Sequence, residues 1–108
     1  MKILILGDVM GCAGRKALNL KLSNLIKNDK IDFVIVNGEN ASDDGRGITQ
    51  DIAEEFFNNG VDVITSGNHI WDKQETTNYI NKESRLLRPA NLAEGSPGKG
   101  YEIYFSKD

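Results

Sequence analysis

The chain has 108 residues, enough for one domain or a piece of one. Its 39% hydrophobic and 27% charged residues permit a modest core, and a formal net charge of −3 argues against a surface for stable duplex nucleic acid, which needs a Lys/Arg excess. No apolar run approaches the ~20 residues of a membrane span; the apolar stretch after Lys2 is too short for a secretory signal, and the single Cys12 excludes an internal disulfide framework and a Cys-rich zinc site, so the expectation is a reduced, cytoplasmic protein.

Ile3 to Leu6 is the first continuous apolar run, and Gly7-Asp8 ends it. Leu18, Leu22, Leu25 and Ile26 then recur at helical spacing between Gly14 and Asn28. Phe33 to Val36 is the second run, ended by Asn37-Gly38-Glu39-Asn40. Ile52, Ala53, Phe56 and Phe57 predict a helix from Thr49 to Asn59, with Thr49 as N-cap, Asp51 in the first turn and Gly60 as the stop. Val61 to Ile64 is the third run, followed by Thr65-Ser66-Gly67-Asn68-His69. Asp72 and Glu75 resemble a capping box that opens a third helix, Lys73 to Asn81. Leu86-Leu87-Arg88 predicts a short fourth strand, Pro89 to Gly100 a loop, and Tyr101 to Phe105 a fifth strand. Short apolar runs of this kind read as parallel strands buried on both faces. The alternation with helices gives an α/β fold with right-handed crossovers.

The unusual polar residues fall at the strand ends. Asp8 follows the first strand, Asn37, Glu39 and Asn40 the second, and Asn68 and His69 the third. In open α/β sheets the carboxyl ends of neighbouring strands face one crevice, and ligands bind there. Taken singly, Gly-Asp and Asn-Gly are turn signals, and a lone histidine is more often structural than catalytic. Together they deliver carboxylates, amides and the chain's only imidazole to one rim, a donor set suited to Mn²⁺, Fe²⁺ or Zn²⁺. Gly7, Gly11 and Gly14 match neither a dinucleotide fingerprint nor a P-loop. Trp71 reads as a partly buried anchor, Cys12 as an inert small residue, and Asp43 to Gly47 as a solvated, mobile loop. Arg46 and Arg88 are minor candidates for a phosphate contact.

Four segments carry a resemblance: Met1-Lys-Ile-Leu-Ile-Leu-Gly-Asp8-Val, Asn37-Gly-Glu39-Asn40-Ala, Gly67-Asn68-His69-Ile-Trp71-Asp72 and Arg88-Pro-Ala-Asn91. In this order the sequence resembles the YmdB-like branch of the calcineurin-like metallophosphoesterases, from Met1 through Gly100. The resemblance implies the N-terminal half of an αββα sandwich, with a mostly parallel sheet and flanking helices. It also implies a dinuclear metal centre that hydrolyses phosphodiesters, with cyclic nucleotides as the substrate class. By the family's pattern Asp8 binds the first metal, Glu39 bridges two divalent ions (Fe, Mn or Zn), Asn40 completes the first site and Asn68 binds the second. His69 protonates the leaving oxygen rather than binding metal. Two such ions about 3.5–4 Å apart clamp a phosphoryl group and make hydroxide at neutral pH.

Two departures qualify this expectation. Asp8 is followed by Val9-Met10 where the wider superfamily has Asp-x-His, as is normal in this branch. Family members are more than twice this length, and their second half supplies three further histidine ligands, whereas no histidine follows His69 here. The expectation is therefore a single incomplete domain, residues 1–108, with weak, labile metal binding. The inner face of its sheet would lie uncovered unless it self-associates as a homo-oligomer. A non-catalytic nucleotide- or protein-binding module of the same ancestry is the alternative.

Overall fold

A computed structural model describes residues 1–107 of the chain. Six elements alternate: β1 (Ile3–Leu6), α1 (Gly11–Asp29), β2 (Phe33–Asn37), α2 (Gln50–Asn58), β3 (Val63–Thr65) and α3 (Gln74–Ile80). The strands form one parallel sheet in the order β1-β2-β3. Ile3 pairs with Phe33 and Leu6 with Val36; Ile35 pairs with Val63 and Asn37 with Thr65. Strand pairing in chain order leaves all three carboxyl ends on the same edge, which is what an α/β site needs.

The alternation of side chains sorts the sheet into two faces. Val34, Val36 and Ile64 pack with Leu18 and Leu22 of α1 and with Ala53 and Phe56 of α2, and Leu4 and Leu6 pack against this cluster. The two crossover helices therefore cover the same face. The opposite face is open: Ile3 is 45% and Ile5 70% exposed. The expected burial of the strands on both faces is thus corrected for β1. Each apolar run looks alike on both faces, but the helices cover only one. A shallow groove lined by Met1, Ile3, Phe33, Ile35, Tyr104 and Phe105 marks the uncovered side.

Several boundaries differ from the sequence reading. Helix α1 opens at Gly11, three residues before Gly14, and Leu25 faces solvent while Leu18 and Leu22 are buried. Strand β3 begins at Val63 rather than Val61. Asp62 explains this: its backbone N–H donates to Val34 O (2.9 Å) and its carboxylate accepts from Val34 N (2.8 Å), so its side chain takes a partner position in the ladder. Helix α3 runs Gln74–Ile80 with Lys73 at the N-cap and no side-chain cap, so the Asp72 capping box does not form. Thr76 on α3 is fully buried and donates its hydroxyl to Ile48 O.

The C-terminal strands are also corrected. Leu86 and Leu87 make only isolated parallel bridges, to Ile64 and Lys99. Pro89 offers no N–H, so the ladder cannot lengthen there. Residues Tyr101 to Phe105 form no strand, and Tyr101, Ile103 and Phe105 are exposed. Tyr104 anchors this stretch, with its ring 6.1 Å from that of Phe33 and its hydroxyl donating to Ser84 O, and Glu102 pairs with Lys99 at 3.0 Å.

Helix α2 follows its sequence signals closely. Thr49 Oγ1 accepts from Ile52 N (3.3 Å), Asp51 sits in the first turn, and the helix stops at Asn58, two residues before Gly60. Replacing Thr49 by Ala orphans that N–H. Thr49→Ala is expected to lower the unfolding free energy by about 1 kcal/mol and Thr49→Ser by much less, as read from urea denaturation midpoints.

Candidate functional site

The strand-end rim is assembled by backbone hydrogen bonds between three loops. Val9 N donates to Asn37 O (3.1 Å) and Gly11 N to Asn40 O (2.9 Å), which join the loop after β1 to the loop after β2. Gly38 N donates to Thr65 O (3.0 Å), and Ala41 N to Gly38 O (3.1 Å) closes the turn after β2. These bonds set the positions from which the polar side chains project.

Asp8 occupies the left-handed region with φ 28°, unusual for a residue with a side chain. Its Oδ1 accepts from Asn40 Nδ2 (2.8 Å). That orientation commits the amide nitrogen of Asn40 and leaves its Oδ1 buried with no hydrogen-bond partner among the described residues. A buried acceptor without a partner costs stability, so such an atom marks a place for a ligand. Glu39 is held beside it: Oε1 lies 3.4 Å from Asn37 Nδ2, and Oε2 lies 3.4 Å from the backbone N of His69. Gly67 forms the wall of this slot, since a Cβ there would stand 2.2 Å from Glu39 Oε1. Only glycine allows the carboxylate to come so near the backbone. Asn68 projects into solvent and makes no hydrogen bond among the described residues. His69 is half-buried, and its Nδ1 lies 2.8 Å from Asp72 Oδ2.

Asp8, Glu39, Asn40 and His69 are therefore linked along one rim, with Asn68 beside them. Among the described residues no three His, Cys, Asp or Glu side chains converge on one point, so the donor set is two carboxylates supplemented by amides. Hard oxygen donors of this kind suit divalent cations. The orphaned Asn40 Oδ1 is an oxygen donor that fits a cation, and the Glu39 carboxylate stands in the slot walled by Gly67. Three participants were not selected from the sequence. Asn37 read as a strand-end polar residue and turn signal without a role at the site, Gly67 as part of a motif, and Asp72 as a helix cap and motif residue. The His-x-x-Asp spacing of residues 69 and 72, which closes one turn, was the available signal.

The loop after the turn is pinned rather than loosely solvated. Arg15 donates to Ala41 O and pairs with Asp43, both at 2.7 Å, while Lys73 pairs with Asp44 at 2.6 Å. Ala41, Ser42, Gly47 and Ile48 are buried. Arg46 keeps an exposed side chain; Arg88 donates to Pro89 O (2.9 Å) and leaves its Nε buried without a partner. Trp71 packs against the core as an anchor.

The chain is thus an α/β domain with a parallel sheet and with carboxylates and amides outside its strand carboxyl ends, the edge at which open α/β sheets generally take their ligands. The chain belongs to the YmdB-like protein family, whose sequence profile matches residues 4–108. It is 45% identical over 100 residues to a 2′,3′-cyclic-nucleotide 2′-phosphodiesterase of Bacillus subtilis, covering 93% of this chain and 38% of that one. A putative phosphatase/phosphodiesterase of Mycoplasma genitalium is 33% identical over 87% of this chain and 33% of its own length. Among solved structures, a novel phosphatase from Mycoplasma pneumoniae superposes with a TM-score of 0.84 at 36% identity, covering 96% of this chain and 39% of that one. The chain thus spans well under half the length of the relatives it matches. No helix among the described residues is long and apolar enough to cross a membrane.

The Asp44–Lys73 pair has a measurable signature. The Lys73 ammonium, with help from the Arg46 backbone N–H, holds the Asp44 carboxyl below its ordinary range. Because the shift is downward, the pairing is fully present above the ordinary carboxylate pKa and is lost as pH falls through the lowered one. In side-chain carboxyl NMR titrations, Lys73→Ala is expected to raise the Asp44 midpoint towards the ordinary value.

Proposed function

We propose that this chain is the metal-binding part of a phosphodiester hydrolase whose substrates are small phosphodiesters, with cyclic nucleotides as the class. The observation that carries this reading is the rim itself: strand-end loops carry two hydrogen-bonded pairs, Asp8 with Asn40 and Glu39 with the backbone of His69, beside Asn68, with one buried amide oxygen left over. The names of the Bacillus and Mycoplasma relatives support the reaction class.

In this reading two divalent ions, of Fe, Mn or Zn, bind at the rim. Asp8, Asn40, Glu39 and Asn68 would be the residues that hold them. Such ions supply Lewis acidity and positive charge for the phosphoryl oxygens. The chain's own residues do the remainder. Asn40 orients the Asp8 carboxylate through its Nδ2, the Gly67 wall keeps Glu39 in one place, and His69 gives a proton to the departing alkoxide, a role suited to an imidazole at neutral pH. The open apolar face, with Ile5 at 70% exposure, supports self-association as the form in which the chain works.

Metal content per chain, measured by inductively coupled plasma mass spectrometry on protein purified without chelator, tests the ligand set. Transition metal retained above the level of Glu39→Ala, and below two ions per chain because the binding is weak, is the expected result. No metal above the Glu39→Ala control would overturn it and favour a non-catalytic binding module. In whatever full-length form exists, His69→Ala is expected to keep the metal and lower phosphodiester turnover by ~10²–10⁴-fold. Loss of metal in that variant would make His69 a ligand instead of the acid.

A further inference from the structure

Asp72 carries a carboxylate that the start of α3 does not use. Its Oδ2 lies 2.8 Å from His69 Nδ1, and the two side chains are about equally exposed, 36% and 34%. Asp72 N donates to His69 O (3.1 Å), so the two residues close a single turn that presents carboxylate and imidazole to each other. That turn is braced from several sides. Ile70 inside it is fully buried. A Cβ on Gly47 would stand 3.3 Å from His69 O and 3.4 Å from Asp72 Cβ, so the preceding loop lies flush against the turn. Lys73, the next residue, is tied to Asp44. At its own backbone, His69 N faces Glu39 Oε2.

We propose that Asp72 is a positioning residue for His69, an inference that rests on the general-acid reading above. A carboxylate accepts only, so His69 Nδ1 must carry a hydrogen to bond with it. This leaves Nε2 as the ring nitrogen open to a substrate. In the proton transfer, the N–H bond at Nε2 breaks, a new O–H bond forms on the departing alkoxide, and the ring is left neutral with its hydrogen on Nδ1. That product tautomer is the one Asp72 accepts from. Fixing the tautomer of a catalytic imidazole through a carboxylate on its other nitrogen is a general device.

His69 is the only histidine in the chain, so its ring signals need no assignment. The test is a long-range ¹H–¹⁵N correlation spectrum of the ¹⁵N-labelled, metal-free chain, recorded at a pH where the ring ¹⁵N shifts themselves show the neutral form. The wild type is expected to show Nδ1 protonated and Nε2 bare. Asp72→Ala is expected to lose the Nδ1–H form and move to Nε2–H, which histidine prefers in water. Asp72→Asn, which keeps the shape and whose amide can both donate and accept, is expected to show a mixture and guards against a folding defect in the alanine variant. Lys73→Ala, which removes the adjacent ion pair but not Asp72, is expected to keep Nδ1–H. An Nε2–H ring in the wild type overturns the proposal. So does an unchanged ring in both Asp72 variants, or a shift in Lys73→Ala as large as in Asp72→Ala. Because the readout needs neither metal nor turnover, failure of hydrolysis bears on the function and failure of the tautomer shift bears on Asp72.

Discussion

Everything at the rim depends on β2 being the central strand. It pairs with β1 on one side and β3 on the other, so the turn that leaves it is gripped from both directions. Val9 N reaches Asn37 O on one flank, and Gly38 N reaches Thr65 O on the other. Glu39 and Asn40 therefore sit on a segment whose backbone is fixed before any side chain makes a choice. Preorganisation of this kind is inherited from the sheet, and the hydrophobic face covered by α1 and α2 keeps the sheet in place.

The same economy leaves one side of the sheet unsupported. Right-handed crossovers between strands added in one direction place both helices on one face. Leu18, Leu22, Ala53 and Phe56 close that face, and nothing equivalent meets Ile3 and Ile5. The stretch from Tyr101 to Phe105 has a strand-like composition but no strand to lie against. It meets the open face through the ring of Tyr104 against Phe33, and Tyr104 and Phe105 line a groove there with Met1, Ile3 and Ile35. Composition states a preference for extended backbone, and pairing requires a neighbour.

The sequence showed the elements well wherever local signals and tertiary packing agreed. β1 matches its apolar run, and α2 matches because cap, first-turn charge and apolar stripe agree at Thr49, Asp51, Ala53 and Phe56. It also placed Asp8, Glu39, Asn40, Asn68 and His69 at strand ends, because an apolar run that stops at a carboxylate or amide is visible without coordinates. Legibility failed where a side chain had two uses of similar local form. Asp72 is an acceptor either for a helix amide or for an imidazole, and only the fold of the turn decides. Asp62 in an apolar run read as a strand residue, but its carboxylate bonds across to Val34 instead. Asn40 Oδ1 lacks a partner for a reason that is wholly tertiary, since its nitrogen is drawn to Asp8 from another strand end.

The slot around Glu39 is walled on one side by main chain at Gly67 rather than by a side chain. A wall made of side chains can be remodelled one substitution at a time, and its shape drifts as neighbours exchange. A wall made of backbone has no rotamers and no alternative identities. Its own position changes only if the backbone just beyond β3 shifts, and the Glu39 carboxylate is held near it by contacts of 3.4 Å to Asn37 Nδ2 and to His69 N. The spacing at this point is thus insulated from turnover of the surrounding surface, while position 67 itself has no room for variation.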